Sequence, residues 1–482
     1  MQSCCKILPK RKMGSDLEVV MLPCPAFGHM IPFLQLSISL AKAGVHVSFV
    51  STPRNIHRLP KIPTNLATRI DLVEIPFPAL DCNNFLPEGA EATVDIPFEK
   101  TDSLKIAHDL LQHPFRRYVA DNSPDWLIVD FGLHWAVEIA GEYGIPLLYF
   151  SVFSAATDAF TGPVEYLVGE GQRRVRSSPE SLMSPPEWVN FPSSVAYRGY
   201  EARGFHAAFF GGNGSGITDA ARLAKVLHGC QAMAVRSCTE FEGKYLNILE
   251  KIVGKPVIPV GLIPPEKPEG REIIDGSWSK IFNWLDEQKP KSVVFVGFGS
   301  ECKLTKDQVY EIAYGLELSE LPFLWAIRKP SWAIEEIDAL PSGLGNRTAG
   351  KGVVSIGWAP QLEILAHPSI GGSLFHSGWG SVIETLQYGH CLVVLPFIFD
   401  QGLNARLLVE KGLAVEIERS EDGSFSRDEI AKYLRLAMVS EEGERLRNSA
   451  REASKIFGDV KLHQDYIGGF VEYLRNGVTK RK

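Results

Sequence analysis

Residues 358–401 read WAPQLEILAHPSIGGSLFHSGWGSVIETLQYGHCLVVLPFIFDQ. Trp358 opens the stretch with an aromatic face, and Asp400–Gln401 close it. Midway, His376-Ser377-Gly378-Trp379-Gly380-Ser381 begins a segment with helical spacing, and Glu384 stands one turn further on. Small residues at a helix start leave backbone N–H groups free at the positive end of the dipole, which binds phosphate without a metal. Trp358 can stack on a pyrimidine, a contact worth ~1–3 kcal/mol. Gln361, just after Pro360, is placed to reach ribose or base, and Glu384 can accept from both ribose hydroxyls. His376 and Ser300 add donors from two neighbouring loops. Each residue alone has a bland reading, Trp358 as core and Glu384 as a solvated helix face. Together they match the base, diphosphate and ribose of a nucleotide.

The surrounding chain of 482 residues exceeds one usual core, so two domains of roughly 200–250 residues each are expected. Hydrophobic residues at 45% and charged residues at 22% describe a globular protein. A net charge of -7 argues against nucleic acid as the main partner. No apolar run has membrane-spanning length. MQSCCKILPKRK is basic but lacks an apolar signal core, so residues 1–14 read as a flexible leader, with Met13 a second possible start. The eight cysteines are scattered, with no CxxC and no accompanying histidine cluster. Reduced thiols in a cytoplasmic protein and no metal site are the expectation, and the sequons at Asn213 and Asn346 then carry no meaning.

In the first half, EVVMLP (18–23), a turn through His29, an apolar helix from about Ile31 to Ala43 and a strand Val45–Val50 make a βαβ unit. Ligands of such sheets collect beyond the carboxyl ends of the strands. His29 falls there and has two readings, a loop histidine satisfying a backbone group or a general base. DWLIVD (125–130) is a buried-type strand ending in Asp130, either a helix N-cap or a carboxylate that orients a histidine. IPLLYFSVF (145–153) is a further strand with Ser154 at its end. From about Val164 to Ala221 the pattern weakens, and Phe, Tyr and Trp accumulate as in the wall of an apolar pocket. GGNGSG (211–216) follows no strand and is discounted as a nucleotide loop.

QAMAVRSC (231–238) is a strand, and five prolines in residues 254–270 mark a linker. The expected organisation is therefore 15–253, the linker, 271–462, and a last helix in 463–482 that crosses back to the first domain. KSVVFVGFGS (291–300), PFLWAIR (322–328), GVVSIGW (352–358) and LVVLPF (392–397) are strands of the second half, and Thr305 with Gln308 is spaced as a capping box. GFGSEC lacks the third glycine of a dinucleotide fingerprint, so a hydride-transfer cofactor is not expected. No Asp-x-Asp motif offers ligands for a metal-bridged diphosphate. The fold class expected is α/β, two Rossmann-like domains facing across a cleft.

Residues 358–401 resemble the 44-residue donor box of the plant secondary-product UDP-glycosyltransferases. AFGHMIPFLQLSISLAKAGVHVSFVSTPRNIHRLPKIP, LPEGAEATVDIP, KPVIPVGLIP, VVFVGFGSE and GLELSELPFLWAIRKP extend the resemblance over most of the chain, closest to the branch named UDP-rhamnose:rhamnosyltransferases. The resemblance implies a GT-B fold and inverting, metal-independent transfer of a hexosyl group, rhamnose or glucose, from a UDP-sugar. The acceptor it implies is a hydroxyl of a small hydrophobic glycoside of flavonoid, terpenoid or steroid type. It makes His29 the base and Asp130 its partner. Trp358, Ala359 and Gln361 would meet uridine and Glu384 the ribose. His376, Gly378, Gly380, Ser381 and Ser300 would meet the diphosphate. Ser154, Trp379, Asp400 and Gln401 would face the donor sugar. One departure stands out. The family box usually reads His-Cys-Gly-Trp-Asn-Ser, and here Gly380 removes the asparagine side chain, so differently tuned diphosphate binding is expected. A UDP-sugar epimerase and a non-catalytic UDP-sugar binder on the same fold are the alternatives. A monomer is the expected state.

Overall fold

The computed structural model describes residues 16–78, 86–169, 176, 178–268 and 276–479. The leader at 1–14, Cys4, Cys5, Cys82 and residues 269–275 lie outside these. Two parallel sheets organise the described chain. The first holds β1 (Glu18–Leu22), β2 (His46–Ser51), β3 (Ile70–Glu74), β4 (Trp126–Val129), β5 (Leu147–Ser151), β6 (Ala232–Val235) and β7 (Val257–Pro259). Their spatial order is β3-β2-β1-β4-β5-β6-β7. The second holds β8 (Val293–Gly297), β9 (Phe323–Ile327), β10 (Gly352–Ile356), β11 (Ile370–Phe375), β12 (Cys391–Val394) and β13 (Ala414–Glu416), in the order β10-β9-β8-β11-β12-β13. WLIV, AMAV and CLVV are buried along their whole length, because helices cover both faces of a parallel sheet.

In each sheet the strand order reverses at one central pair, β1/β4 in the first and β8/β11 in the second. Loops leaving the carboxyl ends of such a pair diverge and open a crevice. His29 and Asp130 follow β1 and β4; Ser300 and His376 follow β8 and β11. The two crevices supply the site described below.

Three local expectations change. The first helix is Phe27–Lys42, so His29 lies in its first turn, not in the loop before it. The weakly patterned region contains the helices Val164–Val168, Gly199–Phe209 and Asp219–Gly229. GYEARGFHAAF mixes helix formers with two glycines and three aromatics that blur its period, and packing adds support: Phe205 stacks between Tyr197 and Phe209, at 4.7 and 5.1 Å between ring centroids. Within the expected linker, Val257–Pro259 pairs with β6 as an edge strand, where a proline costs no ladder bond on the open side.

The helix Val460–Thr479 lies against the first sheet, and Trp126 Nε1 donates to the Leu474 carbonyl at 3.0 Å. Between the domains, Phe241 meets Phe457 and Trp379 at centroid distances of 4.8 and 6.1 Å, inside an apolar cluster that runs through both. Arg406 pairs with Glu201 and, at 2.8 Å, with Glu416, which also takes Arg198 at 3.0 Å. Among the described residues no helix is long and apolar enough to cross a membrane.

Candidate active site

Asp130 is fully buried at the end of β4. One carboxylate oxygen accepts from Cys24 N at 3.0 Å and contacts His29 Nδ1 at 2.8 Å; the other accepts from Phe131 N at 2.8 Å. A carboxylate can only accept, so His29 carries its proton on Nδ1 and presents the Nε2 lone pair. Phe131 and Phe153 flank the imidazole at centroid distances of 5.7 and 5.4 Å. Burial works against protonation of His29, but the Asp130 charge and hydrogen bond, with smaller contributions from Asp400 and Glu301, raise its pKa from the ordinary histidine value. Asp400 and Glu301 belong to the second domain. The cleft thus brings both domains to one imidazole.

Cys24, His29 and Asp130 have donor atoms within 4.8 Å of one another, as a metal site would need. Burial and the Asp130 charge push the pKa of the Cys24 thiol well above its ordinary value, and the Asp130 oxygen beside it already takes Cys24 N and His29 Nδ1.

Opposite, the donor stretch folds as its spacing demands. Trp358 follows β10 and is 66% exposed, and Ala359 after it packs against the core around Leu285 and Ile364. Gln361 starts the helix Gln361–Leu365, and its Nε2 donates to Glu384 Oε2 at 2.6 Å. Burial raises the Glu384 pKa, while the Gln361 bond and the Arg236 charge pull it down. Ser377 adopts φ 60° and ties its hydroxyl to the Gln401 carbonyl at 2.8 Å, which turns the chain into the helix Trp379–Leu386. Gly380 and Ser381 form the first turn of that helix, after Gly378 at its N-cap. His376 leaves Nδ1 without a partner, and burial lowers its pKa to about 4, so it meets a ligand as a neutral ring. A Cβ on Gly378 would lie 2.6 Å from the His376 ring, and one on Gly299 would lie 2.9 Å from it. Both positions need glycine for the ring to sit where it does. Ser300 follows Gly299 on the loop after β8.

Three of the four residues expected at the donor sugar turn their side chains elsewhere. Ser154 is fully buried, caps the helix Ala155–Thr161 and donates to Asn404 Oδ1 at 2.8 Å. The Trp379 indole is buried in the domain contact, donating to the Arg236 carbonyl at 2.9 Å. The Gln401 carboxamide accepts from Phe397 N at 2.9 Å and Ile398 N at 3.0 Å. Ser154 and Trp379 close the domain seam, a partner that local spacing cannot reveal, and Gln401 is tied within its own domain. Asp400, held by Asn404 Nδ2 at 2.7 Å, is the one whose charge reaches His29. The sequence reading missed Asn404, Glu301, Gly299 and Arg236. Arg236 carried a visible signal, its place directly after a buried strand, and Gly299 and Glu301 flank Ser300 on the loop after β8.

Residues 279–438 match the family model for UDP-glucoronosyl and UDP-glucosyl transferases. Over 476 residues the chain is 43% identical to UDP-glycosyltransferase 91A1 of Arabidopsis thaliana, spanning 97% of this chain and 98% of that protein. It is 40% identical over 465 residues to soyasaponin III rhamnosyltransferase of Glycine max, spanning 95% of each. The crystal structure of Glycyrrhiza uralensis UGT73P12 complexed with glycyrrhetinic acid 3-O-monoglucuronide aligns over 97% of both chains, with a TM-score of 0.79 at 24% identity, a likeness of fold. Identity of this depth along nearly the whole chain, on two parallel-sheet domains facing across a cleft, means that the chain belongs to the plant family 1 UDP-glycosyltransferases, enzymes of the GT-B fold.

Proposed function

We propose that this enzyme transfers a hexosyl group, rhamnose or glucose, from a UDP-sugar to a sugar hydroxyl of a plant glycoside, with inversion at the anomeric carbon. The observation that carries this reading is the 2.8 Å contact between His29 Nδ1 and the buried Asp130, facing the donor stretch. His29 Nε2 takes the acceptor hydroxyl's proton as that oxygen bonds to the sugar's C1. The bond from C1 to the diphosphate breaks, and its electron pair leaves with UDP. Attack from the face opposite the leaving group inverts C1. Asp130 fixes the tautomer and stabilises the imidazolium as it forms.

Trp358 and Ala359 cover the uracil, and Gln361 with Glu384 takes the ribose hydroxyls. The free N–H groups at Gly380 and Ser381, with His376, Ser300 and the Gly378 turn, receive the diphosphate and meet the leaving charge. Asp400 takes a hydroxyl of the moving sugar. Support for a glycoside acceptor comes from a relative named for a saponin, itself a glycoside, and from the monoglucuronide held by the structural neighbour.

The test is a matrix of UDP-glucose, UDP-rhamnose, UDP-xylose and UDP-galactose against aglycones and their monoglucosides, read by mass spectrometry. Product from monoglucosides with UDP-rhamnose or UDP-glucose is expected, and His29→Ala should abolish it while keeping UDP binding. Turnover of aglycones alone would refute the glycoside assignment, and turnover retained by His29→Ala would refute the base.

A further inference from the structure

Gly380 departs from the family box, and what stands beside it is a cation from the other domain. Arg236 directly follows β6 in the first domain and is 1% exposed. Its Nε donates to the Leu262 carbonyl at 2.8 Å, and its Nη2 donates to Gln35 Oε1 at 2.7 Å and to the Ile263 carbonyl at 3.1 Å. All three acceptors are neutral. Among the described residues Nη1 makes no hydrogen bond and no carboxylate lies within ion-pair distance of the guanidinium, although the Glu384 charge acts on it. Its backbone carbonyl takes the Trp379 indole N–H at 2.9 Å, which fixes Arg236 against the first turn of the helix Trp379–Leu386. A Cβ on Gly380 would lie 3.7 Å from Nη1 and within 4 Å of nothing else outside the adjoining chain.

The open nitrogen therefore faces the gap that glycine leaves. A cation with no ion-pair partner is expensive to bury, and burial pulls the Arg236 pKa down to about 10 against the opposing charge of Glu384, which still leaves it charged at neutral pH. An anion at the start of that helix would supply the missing acceptor and a countercharge nearer than any ion pair now offers. Building on the UDP-sugar reading above, we infer that Arg236 Nη1 is a ligand of the donor diphosphate, reaching it across the opening at Gly380 in place of the asparagine side chain usual in the family. An asparagine at 380 would contest the same space. The arrangement also links the two halves of the reaction, because Gln35, which holds Nη2, lies on the helix Phe27–Lys42 that carries His29.

Calorimetric titration with UDP and with uridine, which lacks the diphosphate, tests the assignment in wild type, Arg236→Met, Gly380→Asn and the double variant. Arg236→Met should weaken UDP by about 10- to 100-fold, the range of one charged hydrogen bond, and leave uridine within about twofold. Gly380→Asn should weaken UDP when Arg236 is present and restore part of the lost affinity when it is methionine. A UDP-to-uridine affinity ratio unchanged in Arg236→Met, or an equal fall for both ligands, overturns the inference. Should Arg236→Met fail to fold, Gly380→Asn decides, since it leaves every bond of Arg236 in place; wild-type UDP affinity there also overturns it. A wild type that binds no UDP would instead sink the donor reading itself.

Discussion

Asp130→Asn separates the base assignment from a merely structural role for the histidine. Asp130 accepts at both oxygens, from Cys24 N and His29 on one side and Phe131 N on the other. Asparagine has one oxygen and one amino group, so it cannot serve both sides. With its oxygen toward His29, the amino group opposes Phe131 N, donor against donor. With its oxygen toward Phe131, the amino group donates to Nδ1 and moves the proton of His29 to Nε2, where no lone pair remains for the acceptor. Either arrangement forfeits a charge-assisted bond worth ~1.5–3 kcal/mol.

That energy has a readable sign. The Asp130 charge opposes the effect of burial and raises the His29 pKa, and a base works only when deprotonated, so wild-type kcat/KM falls as pH drops through that raised value. Without the charge, the acid limb should move to lower pH. The plateau should fall about 10²- to 10⁴-fold, because the wrong tautomer or a misdirected ring remains. UDP affinity should stay within about twofold, Asp130 being on the opposite domain from the donor stretch. The assay is kcat/KM from pH 5 to 9 with a donor and acceptor pair that the wild type turns over. An acid limb that stays in place with a plateau within a few-fold of wild type would refute the dyad, whatever other losses the variant shows.

Two further outcomes follow from burial. Trp358→Ala should leave the melting temperature within about 1 °C, because 66% of the residue is already exposed, yet weaken both uridine and UDP by the ~1–3 kcal/mol of a lost stacking face; unchanged uridine affinity by calorimetry would remove Trp358 from the site. His390 is fully buried, and burial with the nearby Lys291 charge lowers its pKa to about 3. The unfolded chain, with a histidine near 6.5, binds that proton first, so this group withdraws stability as pH falls from about 6.5 toward 3, at roughly 1.4 kcal/mol per unit. His390→Gln should therefore gain on the wild type in denaturant unfolding between pH 7 and pH 5, and a constant difference across that window would contradict it.

The sheets were legible because parallel strands buried on both faces appear as unbroken apolar runs. His29, Asp130, Ser300 and His376 were legible because they follow such runs. The Gln361–Glu384 bond was foreshadowed by residue types suited to one ribose. What spacing could not show was the direction of each side chain, across the seam for Ser154 and Trp379 and back into its own loop for Gln401. Ser154, Trp379 and Gln401 stand at the expected ends of strands and helices, but their polar atoms answer to Asn404, Arg236 and Phe397 instead of the cleft. Arg236 was hidden for the complementary reason. It ends a strand as Asp130 does, yet its relation to Gly380 exists only once the second domain is set against the first. The helix Gly199–Phe209 was missed because two glycines and three aromatics blur its period, and stacked rings add support that spacing does not show.

Asn404 explains why the donor site and the domain seam are one construction. Its amino group donates to the Ser377 carbonyl at 3.1 Å and to Asp400 at 2.7 Å, while its oxygen accepts from Ser154 of the first domain at 2.8 Å. The left-handed Ser377 turn that aims the helix Trp379–Leu386 is therefore held by the same side chain that orients Asp400 and grips the opposite domain. Arg236 crosses the seam in the other direction, with its carbonyl on Trp379 and its open nitrogen toward Gly380. A shift of one domain against the other would disturb the Ser377 turn, the Asp400 carboxylate and the buried cation together. Small changes in donor affinity and in domain position should accordingly travel as a single variable, which is why Gly380, though it touches little itself, sits where both are set.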